Sequence, residues 1–152
     1  MVIEIGALES VIGVHLLATW YMVGLIWFVQ IVHYPGFQSI PQAGFRDYAN
    51  RHVRRTGWVV GPPMIVEVLS AGLLLWWMPG WWSGIGAGLL GIIWVSTALL
   101  QAPAHGKLCE KGYEREIIQS LVRNNWIRTI AWSARGVVAV GVLYSVVAYT
   151  HS

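Results

Sequence analysis

The sequence predicts an all-α fold: an integral membrane four-helix bundle, with a short interfacial helix between spans one and two and a helical hairpin between spans three and four. Three observations lead there. Of 152 residues, 56% are hydrophobic and 11% are charged, whereas a soluble domain is roughly 45–50% apolar. The apolar residues gather into four stretches, residues 7–34, 57–78, 82–104 and 125–149, each near the ~20 residues that a bilayer-crossing helix needs. No remaining segment could supply the second layer that would cover such helices in a soluble protein. Residues 1–152 therefore read as a single transmembrane domain.

Span one follows acidic Glu4 and Glu9 rather than a basic region and is too long for a signal-peptide core, so it is expected to be retained. It closes at Pro35, whose ring and missing N–H stop a helix. It carries His15, Gln30 and His33. The two histidines share a face but lie about 27 Å apart at 1.5 Å per residue, so they cannot share a ligand. His15 is expected to make an interhelical hydrogen bond. In the connection Pro35 to Thr56, Phe45, Tyr48, Ala49 and Val53 alternate at helical spacing with Arg46, Arg51, Arg54 and Arg55, which predicts an interfacial helix.

Span two contains Gly61, Pro62 and Pro63, a predicted kink, and then Glu67. Glu67 lies about 15 Å from the inner end, near midplane. If ionised there, it needs a cation, for which Arg135 and a metal are the candidates. The link WWMPGWWS places Trp76, Trp77, Trp81 and Trp82 where an interfacial aromatic belt belongs. Gly84, Gly88 and Gly91 on one side of span three predict close approach of a neighbouring helix and offer a surface for a homodimer. Gln101 and His105, four apart, share a face at the inner end of that span, with Pro103 between them. The hairpin Gly106 to Asn124 is predicted to contain a helix from Tyr113 to Val122. Span four then places Asn125, Arg128, Trp132 and Arg135 on one stripe. Arg128 is within snorkelling distance of lipid phosphate, and Arg135 is two turns deeper.

Charge sets the orientation. Arg46, Arg51, Arg54 and Arg55 in one connection and Lys107, Lys111 and Arg115 in the other flank the spans, while the link Pro79 to Ser83 has no charge. The positive-inside rule then puts both termini outside the inner membrane. It also accounts for the net charge of +3 without nucleic acid, which is not an expected partner. The single cysteine, Cys109, excludes an internal disulfide. The sequence has no HExxH, CxxC, GxxxxGK[ST] or GxGxxG, so any site must be assembled across helices.

The inner half of such a bundle collects His33, His52, Gln101, His105, Asn125 and Arg128, with Glu67, Trp132 and Arg135 deeper. Two chemistries suit this set. His33, His52, His105 and Glu67 could form a ligand shell for a transition metal such as iron or copper, since imidazole and carboxylate suit such ions. Alternatively, His33 or His105 acts as a base while Arg128 and Arg135 hold an oxyanion and Glu67 orients them. In that case Gln101, Asn125, His52 and Trp132 contact the bound molecule. Trp27, Trp94 and Trp132 are candidates to stack on a flat ligand.

The runs QAPAHGKLCEKG and NNWIRTIAWSAR, with IVHYPGFQSIP and FRDYANRH before them, resemble the anthrone-oxygenase-like family of small four-span membrane proteins. Asn125, Arg128 and Thr129 match that family's N-x-x-R-T signature, while His105 stands where the family usually has asparagine. The resemblance implies oxidation of a polycyclic phenol by oxygen.

Three functions follow from these readings. The first is a membrane oxidoreductase or oxygenase-like protein acting on a hydrophobic phenolic or quinone-like molecule from the bilayer. The second is a metal- or haem-binding electron-transfer subunit, and the third is an accessory subunit whose polar residues only lock helices together. Four spans are few for alternating-access transport.

Overall fold

The computed structural model describes residues 5–150, which leaves Glu4 outside the described residues. Four helical stretches, Gly6–Ser39, Phe45–Trp77, Trp81–Lys111 and Arg115–Val146, are long and apolar enough to cross a membrane. They form a four-helix bundle. Helix α1 (Ile5–Phe28) leads through a π turn (Val29–His33) and a 3-10 turn (Phe37–Ser39) to α2 (Phe45–Trp77). Helix α3 (Trp81–Ser96) leads through a second π turn (Thr97–Gln101) to α4 (Ala102–Lys111), and α5 (Arg115–Thr150) completes the chain. Helix α1 packs on α2 and α5, and α3 packs on α5 and α2.

Two predicted breaks are absent. The arginine-rich segment is the opening of α2 rather than a separate interfacial helix, because nothing between Arg55 and Gly57 stops the chain, and α2 continues through Pro62 and Pro63. Likewise the expected hairpin helix Tyr113 to Val122 is the first part of α5. At 1.5 Å per residue, the 33 residues of α2 rise about 50 Å, well beyond the ~30 Å hydrocarbon core. The helices therefore extend as a packed lobe on the arginine-rich side. Phe37, Phe45, Leu108, Ile118 and Leu121 fill it and are buried. Gly44 and Gly112 both have φ 87°, a left-handed conformation in which side chains with a Cβ are strained. Gly44 opens α2 and Gly112 ends α4. Arg46 Nε donates to Cys109 O at 3.0 Å, tying the start of α2 to the last turn of α4.

Both π turns stand just before a proline. Proline has no N–H and its ring crowds the carbonyl four residues back. The chain instead widens, and the Tyr34 N–H bonds Val29 O and the Ala102 N–H bonds Thr97 O, ahead of Pro35 and Pro103. The outer surface is apolar, with Leu17, Trp58, Trp76 and Trp81 exposed as lipid-facing residues would be.

Close helix approach does not occur at Gly84, Gly88 and Gly91, which face outward with nothing near an added Cβ. It occurs at Gly86, where a Cβ would meet Val138 at 3.3 Å, and at Gly141, where it would meet the Trp82 ring at 2.8 Å. Residue spacing alone cannot tell which side of a helix its neighbour occupies.

Candidate functional site: a cavity with an unpaired guanidinium

Midway along the bundle, four groups tie the spans together. Thr19 Oγ1 donates to Glu67 Oε1 at 3.0 Å, Trp132 Nε1 donates to Glu67 Oε2 at 2.9 Å, and Arg135 Nη2 pairs with Glu67 Oε1 at 3.1 Å. Arg135 also donates to Gly86 O. Glu67 and Arg135 are 0% and 1% exposed, and neither lines the cavity described next. The expectation that Glu67 and Arg135 act catalytically, and that Glu67 ligates a metal, is therefore corrected. Each is the other's counter-charge, and three side-chain donors from two helices saturate the carboxylate. His15 makes the interhelical bond expected of it, to Ser70 Oγ at 2.8 Å.

Toward the arginine-rich side, a cavity of about 410 Å³ lies among all four spans. Met22, Ile26, Val29 and Val60 give it apolar walls, and Trp132 closes one side. Its polar lining comes from the two π turns and their neighbours: His33 and Tyr34 on one side, Thr97, Gln101 and His105 on another, His52 and Thr56 from α2, and Arg128 from α5. Of the expected set, His33, His52, Gln101, His105, Arg128 and Trp132 thus meet at one place. Trp27 and Trp94 do not. Trp27 stands edge-on to Trp126 and donates to Ser133, and Trp94 is exposed on the outer face.

Arg128 is the centre of this arrangement. It is 7% exposed, so it does not snorkel. Asn125 Oδ1 accepts from its Nε at 3.0 Å and from its Nη2. Nη2 also reaches Tyr34 OH at 3.2 Å, and Nη1 makes only a long contact, 3.5 Å, to Thr97 Oγ1. Asn125 is held in turn by donating to Gln30 Oε1 at 2.9 Å, and Gln30 Nε2 donates to Val122 O. Asn125 does not line the cavity, so its expected ligand contact is replaced by a positioning role on Arg128. No carboxylate among the described residues pairs with Arg128, since the one ion pair there is Glu67–Arg135. A buried guanidinium carries a charge that neutral hydrogen bonds leave uncompensated. The cavity wall therefore presents a positive charge and N–H donors to whatever occupies it.

Beside it, Tyr34 OH and His105 Nε2 are 2.9 Å apart. His33 Nε2 and His52 Nδ1 are 3.1 Å apart, and Thr56 Oγ1 is 3.0 Å from the same His52 nitrogen. Of two imidazole nitrogens sharing one hydrogen bond, one must accept, so His33 and His52 cannot both be imidazolium. The ring centroids of His52 and His105 are 5.2 Å apart. The three imidazoles thus cluster, but with nitrogens turned to each other, to Tyr34 and to Thr56. Among the described residues no group of three or more His, Cys, Asp or Glu side chains is arranged to hold a metal ion. The expected His33, His52, His105 and Glu67 ligand shell is not formed, and Glu67 is committed to Arg135.

Sequence reasoning missed Tyr34, Thr97 and Thr56. Tyr34 ends the predicted span one, yet its position one residue before Pro35 and one past the π turn is what aims it inward. Comparison with protein-family models, curated proteins and solved structures gives no match to this chain.

Proposed function

We propose that this integral membrane protein is an oxidoreductase that takes a hydrophobic phenol, enol or hydroxyl-bearing quinone-like molecule from the bilayer and activates it by removing a proton. The observation that carries the reading is Arg128, a buried guanidinium with no carboxylate, in the wall of a largely apolar cavity next to the Tyr34–His105 pair. Tyr34 accepts from Arg128, and with His105 in its Nδ1–H tautomer the Tyr34 hydroxyl donates to His105 Nε2. A substrate O–H gives its proton to the Tyr34 oxygen while Tyr34 passes its own proton to His105. The substrate O–H bond breaks, its electron pair stays on the oxygen, and Arg128 balances the new negative charge. The phenolate or enolate so formed is the electron-rich species that dioxygen oxidises, in keeping with the resemblance to anthrone-oxygenase-like proteins. Trp132, with Arg128 6.0 Å from its ring centroid, supplies a flat wall for the ring. The arginine-rich end is assigned to the cytoplasmic side of the inner membrane by the positive-inside rule.

A second reading, a non-catalytic accessory subunit, draws on the Glu67–Arg135 and Gln30–Asn125–Thr129 contacts, which lock the spans together without a ligand. One experiment separates the two. Purified protein in detergent is titrated with 2-naphthol near neutral pH, following the absorbance change that reports ionisation of the bound phenol. Wild type is expected to bind it as the naphtholate. Arg128→Gln is expected to bind roughly 10- to 150-fold more weakly, the loss of one charge-assisted hydrogen bond. Equal affinity in folded Arg128→Gln and Arg128→Lys variants, or no binding to wild type, would favour the accessory reading.

A further inference from the structure

Gln101 is 1% exposed, lines the cavity, and neither its Oε1 nor its Nε2 has a hydrogen-bond partner. Buried side-chain amides are almost always satisfied, so a carboxamide with both ends unmet at a cavity wall points to a ligand carrying one acceptor and one donor. Its position narrows the ligand further. Gln101 ends the π turn that Thr97 begins, and Thr97 Oγ1 is the atom that Arg128 Nη1 approaches. His105, one helical turn beyond Gln101, meets the Tyr34 hydroxyl that Arg128 Nη2 reaches. The guanidinium thus approaches Thr97 directly and His105 through Tyr34, the residues one turn to either side of Gln101, and lines the same cavity as the carboxamide.

From this juxtaposition we propose that Gln101 determines specificity, selecting an aromatic ligand with two oxygens on adjacent ring carbons, a catechol or ortho-hydroxyquinone. The inference rests on the phenol-binding reading above and names its substrate class. The ionised oxygen accepts from Arg128 and from Gln101 Nε2–H. The neighbouring hydroxyl donates to Gln101 Oε1. A single carboxamide offers its acceptor and donor side by side in one plane, as adjacent ring oxygens require, and oxygens on distant ring positions cannot both reach it. Gln101 and Arg128 together then read two adjacent atoms.

The test compares three ligands of similar size: 2-naphthol, 2,3-dihydroxynaphthalene and 2,7-dihydroxynaphthalene. Equilibrium dialysis is run against wild type, Gln101→Leu and Gln101→Met in detergent. Wild type is expected to bind the 2,3 isomer about tenfold more tightly than the 2,7 isomer, the discrimination one buried hydrogen-bonded pair supplies. Both variants should lower that ratio to about 1–2, while 2-naphthol and the 2,7 isomer, which lose only the Nε2–H donor and keep Arg128, weaken together by a common factor. A wild-type ratio near one, or an unchanged ratio in either folded variant, overturns the assignment of Gln101 and leaves the phenol-binding reading standing. Failure of all three naphthols to bind wild type overturns both.

Discussion

Replacing Glu67 by Gln is the sharpest probe of how this bundle is held together. Glu67 takes Thr19 and two Arg135 nitrogens on Oε1, and Trp132 on Oε2. Glutamine keeps the shape but removes the charge and turns one acceptor into a donor. With its oxygen toward Arg135, its amide N–H₂ faces the Trp132 N–H, donor against donor. With its oxygen toward Trp132, the N–H₂ faces the guanidinium. Either way Arg135, 1% exposed, loses its counter-charge, and breaking a buried pair in this manner costs about 3–5 kcal/mol. At roughly 2–4 °C per kcal/mol for a chain of this size, the midpoint of thermal unfolding in detergent should fall by about 6–20 °C, read by circular dichroism. Glu67→Leu/Arg135→Met should recover most of the loss, because removing both charges leaves neither uncompensated. Since neither residue lines the cavity, folded Glu67→Gln should still bind 2-naphthol within a few-fold of wild type. A loss below about 1 kcal/mol would refute the counter-charge argument, and abolished phenol binding in a well-folded variant would return Glu67 to the chemistry.

Other perturbations test neighbouring steps. Gln101→Leu should raise the stability of the ligand-free protein by about 1–3 kcal/mol, because it removes an unsatisfied buried amide; differential scanning calorimetry checks it, and destabilisation would mean the amide has a partner. Asn125→Asp should place a carboxylate on the Arg128 nitrogens that Asn125 Oδ1 now meets; naphtholate affinity should then fall at least about tenfold with the helical circular dichroism signal retained. Gly141→Ala should cost about 1–3 kcal/mol by overpacking, since its Cβ would stand 2.8 Å from the Trp82 ring, and thermal unfolding should register it. Tyr34→Phe should leave 2-naphthol bound but less ionised, seen in the absorbance of the bound ligand, because the hydroxyl between Arg128 and His105 is gone.

The four spans were legible because length and hydropathy alone specify a bilayer-crossing helix. Where helices join was not. Arg46 to Arg55 read as an amphipathic surface helix, and nothing local distinguishes that from an extension of the following span, since the same 3.6 periodicity serves both. The convergence of His33, His52, Gln101, His105 and Arg128 followed from placing each near the same end of its span, a one-dimensional argument about depth. Rotation about each helix axis is the second coordinate, and sequence gave it poorly. Trp94 and Gly88 point outward and Gly86 inward, according to which neighbour lies beside them. Pro35 predicts a helix stop, and Pro103 stands between Gln101 and His105. Their consequence, a π turn that brings Tyr34, Thr97 and Gln101 to the cavity, depends on how the chain relieves the lost hydrogen bond, which the residue types alone leave open.

Arg128 and Arg135 set the functional argument most clearly, because they are the same residue on the same stripe of α5, two helical turns apart, and both are buried. Burial therefore cannot distinguish their roles, and composition cannot either. What separates them is the carboxylate. Arg135 has Glu67 and is neutralised within the protein. Arg128 has an asparagine in the equivalent place, which orients the guanidinium without cancelling its charge. Had the only requirement at Arg128 been to join helices, an aspartate at position 125 would serve better, giving a second closed ion pair like the first. An amide there, with Gln30 spent on holding that amide, keeps one positive charge available at a cavity wall. That is the arrangement expected where the missing negative charge arrives with, or is generated on, a bound molecule.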